Sequence, residues 1–177
     1  MINKIDETRT FQPLNIAVLT ISDSRTLSDD NSGNILEERI KRAGHKLAAR
    51  AIVRDDVATI RNQIEDWIKS IKPHVIVTTG GTGFTGRDVT PEAIEPLFDK
   101  KMDGFSAVFH KVSFETIGIV TIQSRATAGL INETFVFCLP GSTGACKDAW
   151  DNILQGELDS RQLPNNLVEL IPRLGER

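Results

Sequence analysis

An apolar strand, Val75–Thr79, runs straight into Gly80-Gly81-Thr82-Gly83-Phe84-Thr85-Gly86 and then into Arg87-Asp88-Val89-Thr90-Pro91-Glu92. No other stretch restricts the possible folds as much. Glycines tolerate positive φ and let a ligand approach the main chain, so a run of them just past a strand makes a concave lip of exposed N–H groups suited to an anion. In open α/β sheets ligands sit in the crevice beyond the carboxyl ends of the strands, which is where this loop lies if Val75–Thr79 is a central parallel strand. A tight turn that binds nothing is the plain alternative. Gly81, Gly83 and Gly86 also match the spacing of a dinucleotide fingerprint. In that fingerprint, however, the third glycine already lies in the helix, whereas Thr90 and Pro91 mark a helix that starts later. The Gly-Lys-Ser/Thr ending of a Walker phosphate loop is missing as well.

The preceding segments fit a parallel sheet. Asn15–Ile21 is nearly all apolar, as a strand buried on both faces should be, and Ser22-Asp23-Ser24-Arg25 ends it with a polar cluster placed to face a crevice or simply to join strand to helix. Leu27 to Ser32 reads as a flexible acidic segment. Asn34 to Ala43 carries Ile35, Leu36, Ile40 and Ala43 at helical spacing, with Gly44 as its C-cap. Lys46–Val53 is a second strand, alternating Leu47, Ala49, Ala51 and Val53. Asp55 and Asp56 then precede a helix with Val57, Ile60, Ile64, Trp67, Ile68 and Ile71 on one face. One aspartate suffices as an N-cap, so Asp56 as the cap leaves Asp55 free. Lys72-Pro73 closes that helix.

Beyond the glycine loop, Thr90 is expected to cap a short helix with Pro91 at its first position and Ala93, Ile94 and Leu97 behind it. Asp103-Gly104 restarts a helix with Phe105, Val108, Phe109 and Val112 on one face, a pattern of core or subunit interface. From Thr116 to Arg125, β-branched residues argue for a strand. Thr127–Ile131, Asn132-Glu133 and Thr134–Leu139 read as a hairpin, which adds one antiparallel strand to a mostly parallel α/β sheet. Pro140-Gly141-Ser142-Thr143-Gly144 opens a helix from Ala145 to Leu154, a second strand-to-helix junction with N–H groups to offer an anion. Leu163, Leu167, Leu170 and Ile171 are expected to dock the tail on the body.

Composition excludes several function classes. A chain of 177 residues and 19.5 kDa matches one compact domain, here residues 14–177 behind a polar N-terminal arm, 1–13. The net charge of −3 and the absence of a Lys/Arg cluster give no field for nucleic acid. Cys138 and Cys146 are too few for a disulfide framework and lack metal-ligand spacing, as expected for core residues in a reducing compartment. Met1 to Gln12 has no apolar leader core, and no apolar run approaches membrane-spanning length, so the cytoplasm is the expected home and no membrane the expected partner.

Ser22-Asp23, Asp55, Gly80–Asp88 and Pro140-Gly141 each follow a strand, and parallel strands would bring them to one edge. At these positions the chain resembles the MoaB/MogA family of molybdenum cofactor biosynthesis proteins. The resemblance is carried by Leu19-Thr20-Ile21-Ser22-Asp23, Asp30-Asn31-Ser32-Gly33, Thr79 to Thr85, Arg87 to Ala93, Ser124-Arg125 and Leu139-Pro140-Gly141. It spans residue 15 to about residue 155, and the long block around Asp88 is its most specific part. Arg54 before Asp55, and Ser142-Thr143-Gly144 after Gly141, follow the MoaB branch.

The resemblance implies a three-layer α/β/α sandwich that binds molybdopterin, an anionic pterin dithiolene phosphate, and transfers AMP to it from Mg-ATP with release of pyrophosphate. The alternative it leaves open is a non-catalytic molybdopterin-binding or assembly protein of the same fold. By the same resemblance Asp55 and Asp88 are the catalytic pair and the candidate Mg²⁺ ligands. That role agrees with their chemistry, since Mg²⁺ on phosphates is held by one or two carboxylates. Gly80, Gly81, Thr82, Gly83 and Thr85 would cradle phosphate, Pro140, Gly141 and Ser142 would bind the pterin side, and Ser22, Asp23, Thr79 and Ser124 complete the substrate-binding set. It also implies a homotrimer or a hexamer built from two trimers.

Overall fold

The most apolar runs of the chain form the middle of one sheet. The computed structural model describes residues 4–176. In chain order the elements are β1 (Lys4–Ile5), β2 (Asn15–Ile21), α1 (Asn31–Arg42), β3 (Lys46–Val53), α2 (Val57–Ser70), β4 (Val75–Thr79), α3 (Thr90–Ile94), β5 (Lys100–Lys101) and α4 (Asp103–Ile117). They continue with β6 (Thr127–Ile131), β7 (Thr134–Leu139), α5 (Thr143–Ala149), a π-helical turn (Trp150–Leu154), α6 (Gln155–Glu157) and β8 (Gln162–Leu163). The main sheet has the order β3-β2-β4-β7-β6-β5, and β1 pairs with β8 in a separate ribbon. β2, β3, β4 and β7 run parallel, while β6 runs against its neighbours β7 and β5 as the one reversed strand.

Strand alternation divides the apolar side chains between two cores, one on each face of the sheet. Ile16, Val18, Val77 and Phe137 point to the face covered by α1, α4 and α5, where Leu36, Phe109 and Trp150 pack. Ala17, Leu19, Ile76 and Val136 point to the opposite face, covered by Ile60, Ile64 and Trp67 of α2 and Ala93 and Ile94 of α3. The result is the three-layer α/β/α arrangement.

Register aligns the carboxyl ends. Ile21 is level with Val53, Thr20 with Thr79, and Thr79 with Leu139, so the loops after β2, β3, β4 and β7 leave the sheet side by side. Within the β2–β3 pairing the register shifts between Ile16 and Ala17: Leu47 faces Ile16 and Ala49 faces Ala17, giving β3 one extra residue.

Several expectations give way to tertiary contacts. The segment read as flexible, Leu27 to Ser32, holds Asp30, which is fully buried and caps α1 through Gly33, so that helix starts at Asn31 rather than Asn34. Thr90 does not cap α3. It is the helix's first residue, and its hydroxyl is drawn instead to the carbonyl of Gly80 at 2.8 Å. The β-branched run expected as a strand continues α4 as a 3₁₀ segment, Gly118–Gln123, entered through Gly118 at φ +63 and largely exposed. The helix expected from Ala145 begins at Thr143. On the interface-like face of α4, Phe105 and Phe109 are buried but Val108 is exposed, and in the tail Leu167 and Ile171 dock while Leu170 stays exposed. With its 3₁₀ extension α4 makes one helical stretch, Asp103–Gln123, long and apolar enough to cross a membrane by length and composition, contrary to the sequence reading. Gly118 interrupts it, and Phe105 and Phe109 pack against the sheet.

Candidate functional site

The four aligned strand ends open onto a hollow of about 520 Å³. Ser22, Asp23, Ser24 and Arg25 from the loop after β2, Asp55 after β3, Gly80, Gly81, Thr85, Arg87 and Asp88 after β4, and Gly141 and Ser142 after β7 line it. Each loop is shaped locally. The Ser22 hydroxyl oxygen accepts from the Ser24 and Arg25 amides, which folds the first loop back on itself. Asp56 accepts from the Thr59 amide at 2.7 Å as the cap of α2, and Asp55 is left to face the hollow.

The two aspartates flank the same glycine loop. Gly81, at φ +65, has the Asp55 carboxylate so close that a Cβ would lie 2.8 Å from its Oδ1. A Cβ on Gly83 would lie 2.9 Å from Asp88 Oδ2. Gly81 needs glycine for its positive φ and for the still closer Thr90 hydroxyl as well, whereas at Gly83 the close atoms are the movable end of the Asp88 side chain. Two amides expected to face a ligand are already engaged: Gly80 donates to the Leu139 carbonyl at 3.0 Å and Thr85 to Asp88 Oδ2 at 2.9 Å.

The acids differ electrostatically. Burial, then the charges of Asp23 and Asp88, push the Asp55 carboxyl above its ordinary value. Asp88 lies below its ordinary value because the Thr85 hydroxyl, at 2.6 Å, and the loop amides donate to its charged form. Repulsion between the two therefore falls on Asp55. The Asp55 amide donates to Asp23 Oδ1 at 3.3 Å, and Asp23, Asp55 and Asp88 all line the hollow, with Arg87 as the cation that partly offsets the charge on Asp55.

A second acid supports the floor. Asp30 accepts from the Thr20 hydroxyl at 2.7 Å and from Arg50 Nη2 at 3.0 Å, and Arg25 Nη1 lies 3.8 Å from it. Arg25 also reaches the Gly141 carbonyl, as does the Ser32 hydroxyl at 2.8 Å. The loops after β2 and β7 are thus tied together through the start of α1.

Of the residues singled out in the sequence, Ser22, Asp23, Asp55, Gly80, Gly81, Thr85, Asp88, Gly141 and Ser142 meet in the hollow. Thr79, Thr82, Gly83, Ser124 and Pro140 stand outside its lining. Thr79 is buried and donates to the Pro140 carbonyl at 3.0 Å, while the Thr82 carbonyl accepts from the Arg125 amide. The Ser124 hydroxyl is buried without a partner. Ser142 spends its hydroxyl oxygen capping α5 through Ala145. Sequence reasoning passed over Ser24, Arg25 and Arg87, although each sits in or beside a stretch it had marked as polar and crevice-facing.

Fold and hollow together define a mainly parallel α/β protein with a polar hollow past the strand ends, and residues 17–160 match a family described as a probable molybdopterin binding domain. The chain belongs to the MoaB/MogA family of molybdenum cofactor biosynthesis proteins. It is 47% identical over 156 residues to molybdenum cofactor biosynthesis protein B of Escherichia coli (strain K12), covering 88% of this chain and 92% of that protein. A crystal structure of a molybdenum cofactor biosynthesis protein B superimposes with a TM-score of 0.85 at 35% identity, covering 96% of this chain and 100% of the other. The tungsten cofactor synthesizing protein MoaB from Pyrococcus furiosus gives 0.73 at 38% identity, over 81% and 91% of the two chains.

Proposed function

We propose that this protein acts in molybdenum cofactor biosynthesis by binding molybdopterin in the hollow and transferring AMP to it from Mg-ATP. A phosphate oxygen of the pterin attacks the α-phosphorus of ATP, the bond to the bridging oxygen of the β-phosphate breaks, and pyrophosphate leaves. The observation that supports this reading most is the convergence of Asp55 and Asp88, from separate strand ends, on one glycine loop. The donor set fits Mg²⁺, because the charge on Asp55 is disfavoured by burial and by two neighbouring carboxylates, which a divalent cation would relieve. No group of three or more His, Cys, Asp or Glu suited to caging a metal occurs among the described residues, consistent with an ion that arrives on the nucleotide and needs only one or two protein carboxylates. Asp55 and Asp88 would hold it, and bound there it would neutralise charge on the phosphates. Arg25 and Arg87 line the same hollow and supply fixed positive charge for an anionic substrate.

The test is incubation with molybdopterin, ATP and Mg²⁺, reading adenylylated pterin and pyrophosphate. Asp55→Asn and Asp88→Asn should each lower turnover by on the order of 10²-fold or more, the cost of losing one preorganised electrostatic contact. Tight molybdopterin binding with no product from the unaltered protein would assign a binding or assembly role instead. Rates equal to the parent's in both variants would remove the two acids from the chemistry.

Phe114, Ile117, Ile119, Val120 and Ile122 form an exposed apolar stretch that supports assembly into a trimer or hexamer. Light scattering should show it, and Ile119→Glu should dissociate it. Two free, buried thiols suit the cytoplasm as the place of action.

A further inference from the structure

Arg125 lies outside the hollow, yet nearly everything it touches belongs to the glycine loop. It follows the 3₁₀ segment after α4, and its own amide donates to the Thr82 carbonyl at 2.9 Å. Its guanidinium sends Nε to the carbonyl of Gly83 at 2.8 Å and Nη2 to the carbonyl of Asp88, also at 2.8 Å. Nη1 pairs with Glu92 in the first turn of α3, and the cation sits 5.4 Å from the centroid of the exposed Phe84 ring. Gly83 is the residue on which an added Cβ would lie 2.9 Å from Asp88 Oδ2. One fork therefore grips the main chain on both sides of that carboxylate. A planar guanidinium can span two carbonyls in this way, and an ammonium cannot.

We propose that Arg125 is the positioning residue that locks the Thr82–Asp88 loop and so aims Asp88 across the hollow at Asp55. It does this without touching substrate. The inference rests on the reading of Asp88 as part of the adenylylating site, but the locking itself is a property of the free protein. The pairing with Glu92 is secondary, since it joins Arg125 to α3 rather than to the loop.

Three variants test it. Arg125→Lys keeps the charge and most of the stem but loses the fork, Arg125→Ala leaves a space for a small guanidinium, and Glu92→Gln keeps the fork while removing the ion pair. In the free protein, hydrogen exchange of the amides of residues 82–88 should quicken in Arg125→Lys at an unchanged melting temperature, and ethylguanidinium should slow it again in Arg125→Ala. In turnover, Arg125→Lys should lower kcat by on the order of 10²-fold, the scale of loss for a small misplacement of a reacting group, with KM for molybdopterin little changed. Ethylguanidinium should restore part of the rate in Arg125→Ala, and Glu92→Gln should stay within about three-fold of the parent, as expected for a single exposed ion pair. Loop exchange and kcat in Arg125→Lys equal to the parent would overturn the proposal, as would Glu92→Gln losing as much as Arg125→Lys. If the unaltered protein makes no adenylylated pterin, the adenylylation reading fails, while the exchange and its guanidinium rescue still decide whether Arg125 locks the loop.

Discussion

The two edges of the same parallel sheet are built on opposite principles. At the amino edge two histidines are spent on the main chain: His45, just before β3, accepts the Leu14 amide at its Nδ1, and His74, just before β4, accepts the Asn15 amide in the same way. Burial lowers the pKa of both rings, that of His45 to about 4. Thr134 closes the same edge by donating to the Pro73 carbonyl at 2.8 Å. At the carboxyl edge Asp23, Asp55 and Asp88 gather around a hollow, and the charge on Asp55 is resisted by its surroundings. Both edges tie polar groups to the main chain, but only the carboxyl edge also gathers carboxylates around a hollow, where the charge of one of them is disfavoured.

The sharpest way to break this contrast is acid. A histidine whose folded pKa is depressed contributes stability that is present above its unfolded value of 6.5 and is lost as pH falls toward the folded value of about 4. For His45 that shift corresponds to roughly 3 kcal/mol, and urea unfolding between pH 7.5 and 4.5 should show a loss of that order, flattened in His45→Gln. Next comes Gly80→Ala at the other edge. Gly80 sits at φ +109 with the Ile21 carbonyl 2.2 Å from where a Cβ would stand, so about 2 kcal/mol or more should be lost. Gly144→Ala, on α5 with open space around it, should be neutral or stabilising by up to about 1 kcal/mol. Thr134→Val leaves the buried Pro73 carbonyl short of a donor and should cost ~1 kcal/mol in denaturant melts.

The smallest effect has the opposite sign. A raised carboxyl pKa means that the contribution of Asp55 to stability is present below its ordinary value of 3.8 and is lost as pH rises through its folded value. Asp55→Asn should therefore raise the melting temperature at pH 7, and the gain should vanish in acid. Asp88→Asn should give no such gain, because Thr85 stabilises the charge there. Stabilisation by both substitutions, or by neither, would erase the distinction between the two acids.

Much of this was legible in the sequence where the signal is local. β2, β3, β4 and the β6–β7 hairpin coincide with their apolar runs, with Asn132 at positive φ in the turn, because a strand buried on both faces has few other ways to read. The division of labour between Asp56 and Asp55 followed from helix capping alone. What escaped depends on partners distant in the chain. Asp30 looks like one more acid in a polar loop until Thr20 and Arg50 are brought to it by the sheet. Thr90 has the composition of a cap, but the Gly80 carbonyl competes for its hydroxyl. Arg125 sits in a motif that drew attention to Ser124, and only the folded loop shows which of the two reaches Gly83 and Asp88. The strand expected near Thr121 had the right side chains, but the segment continues α4 as a 3₁₀ turn instead of joining the sheet.

The extra residue in β3 has a geometric sequel. Downstream of Ala48 the strand keeps pace with β2, so Val53 ends level with Ile21 and Asp55 emerges beside Asp23. Shortening the strand there by one position would demand about 3.3 Å from somewhere, and would turn alternate side chains over on whichever segment slid. Either the turn at Gly44 would be pulled tight or the acid would retract from the rim. The depth to which this carboxylate projects is accordingly metered at the opposite end of the strand, by chain length, as well as by the Asp23 contact beside it.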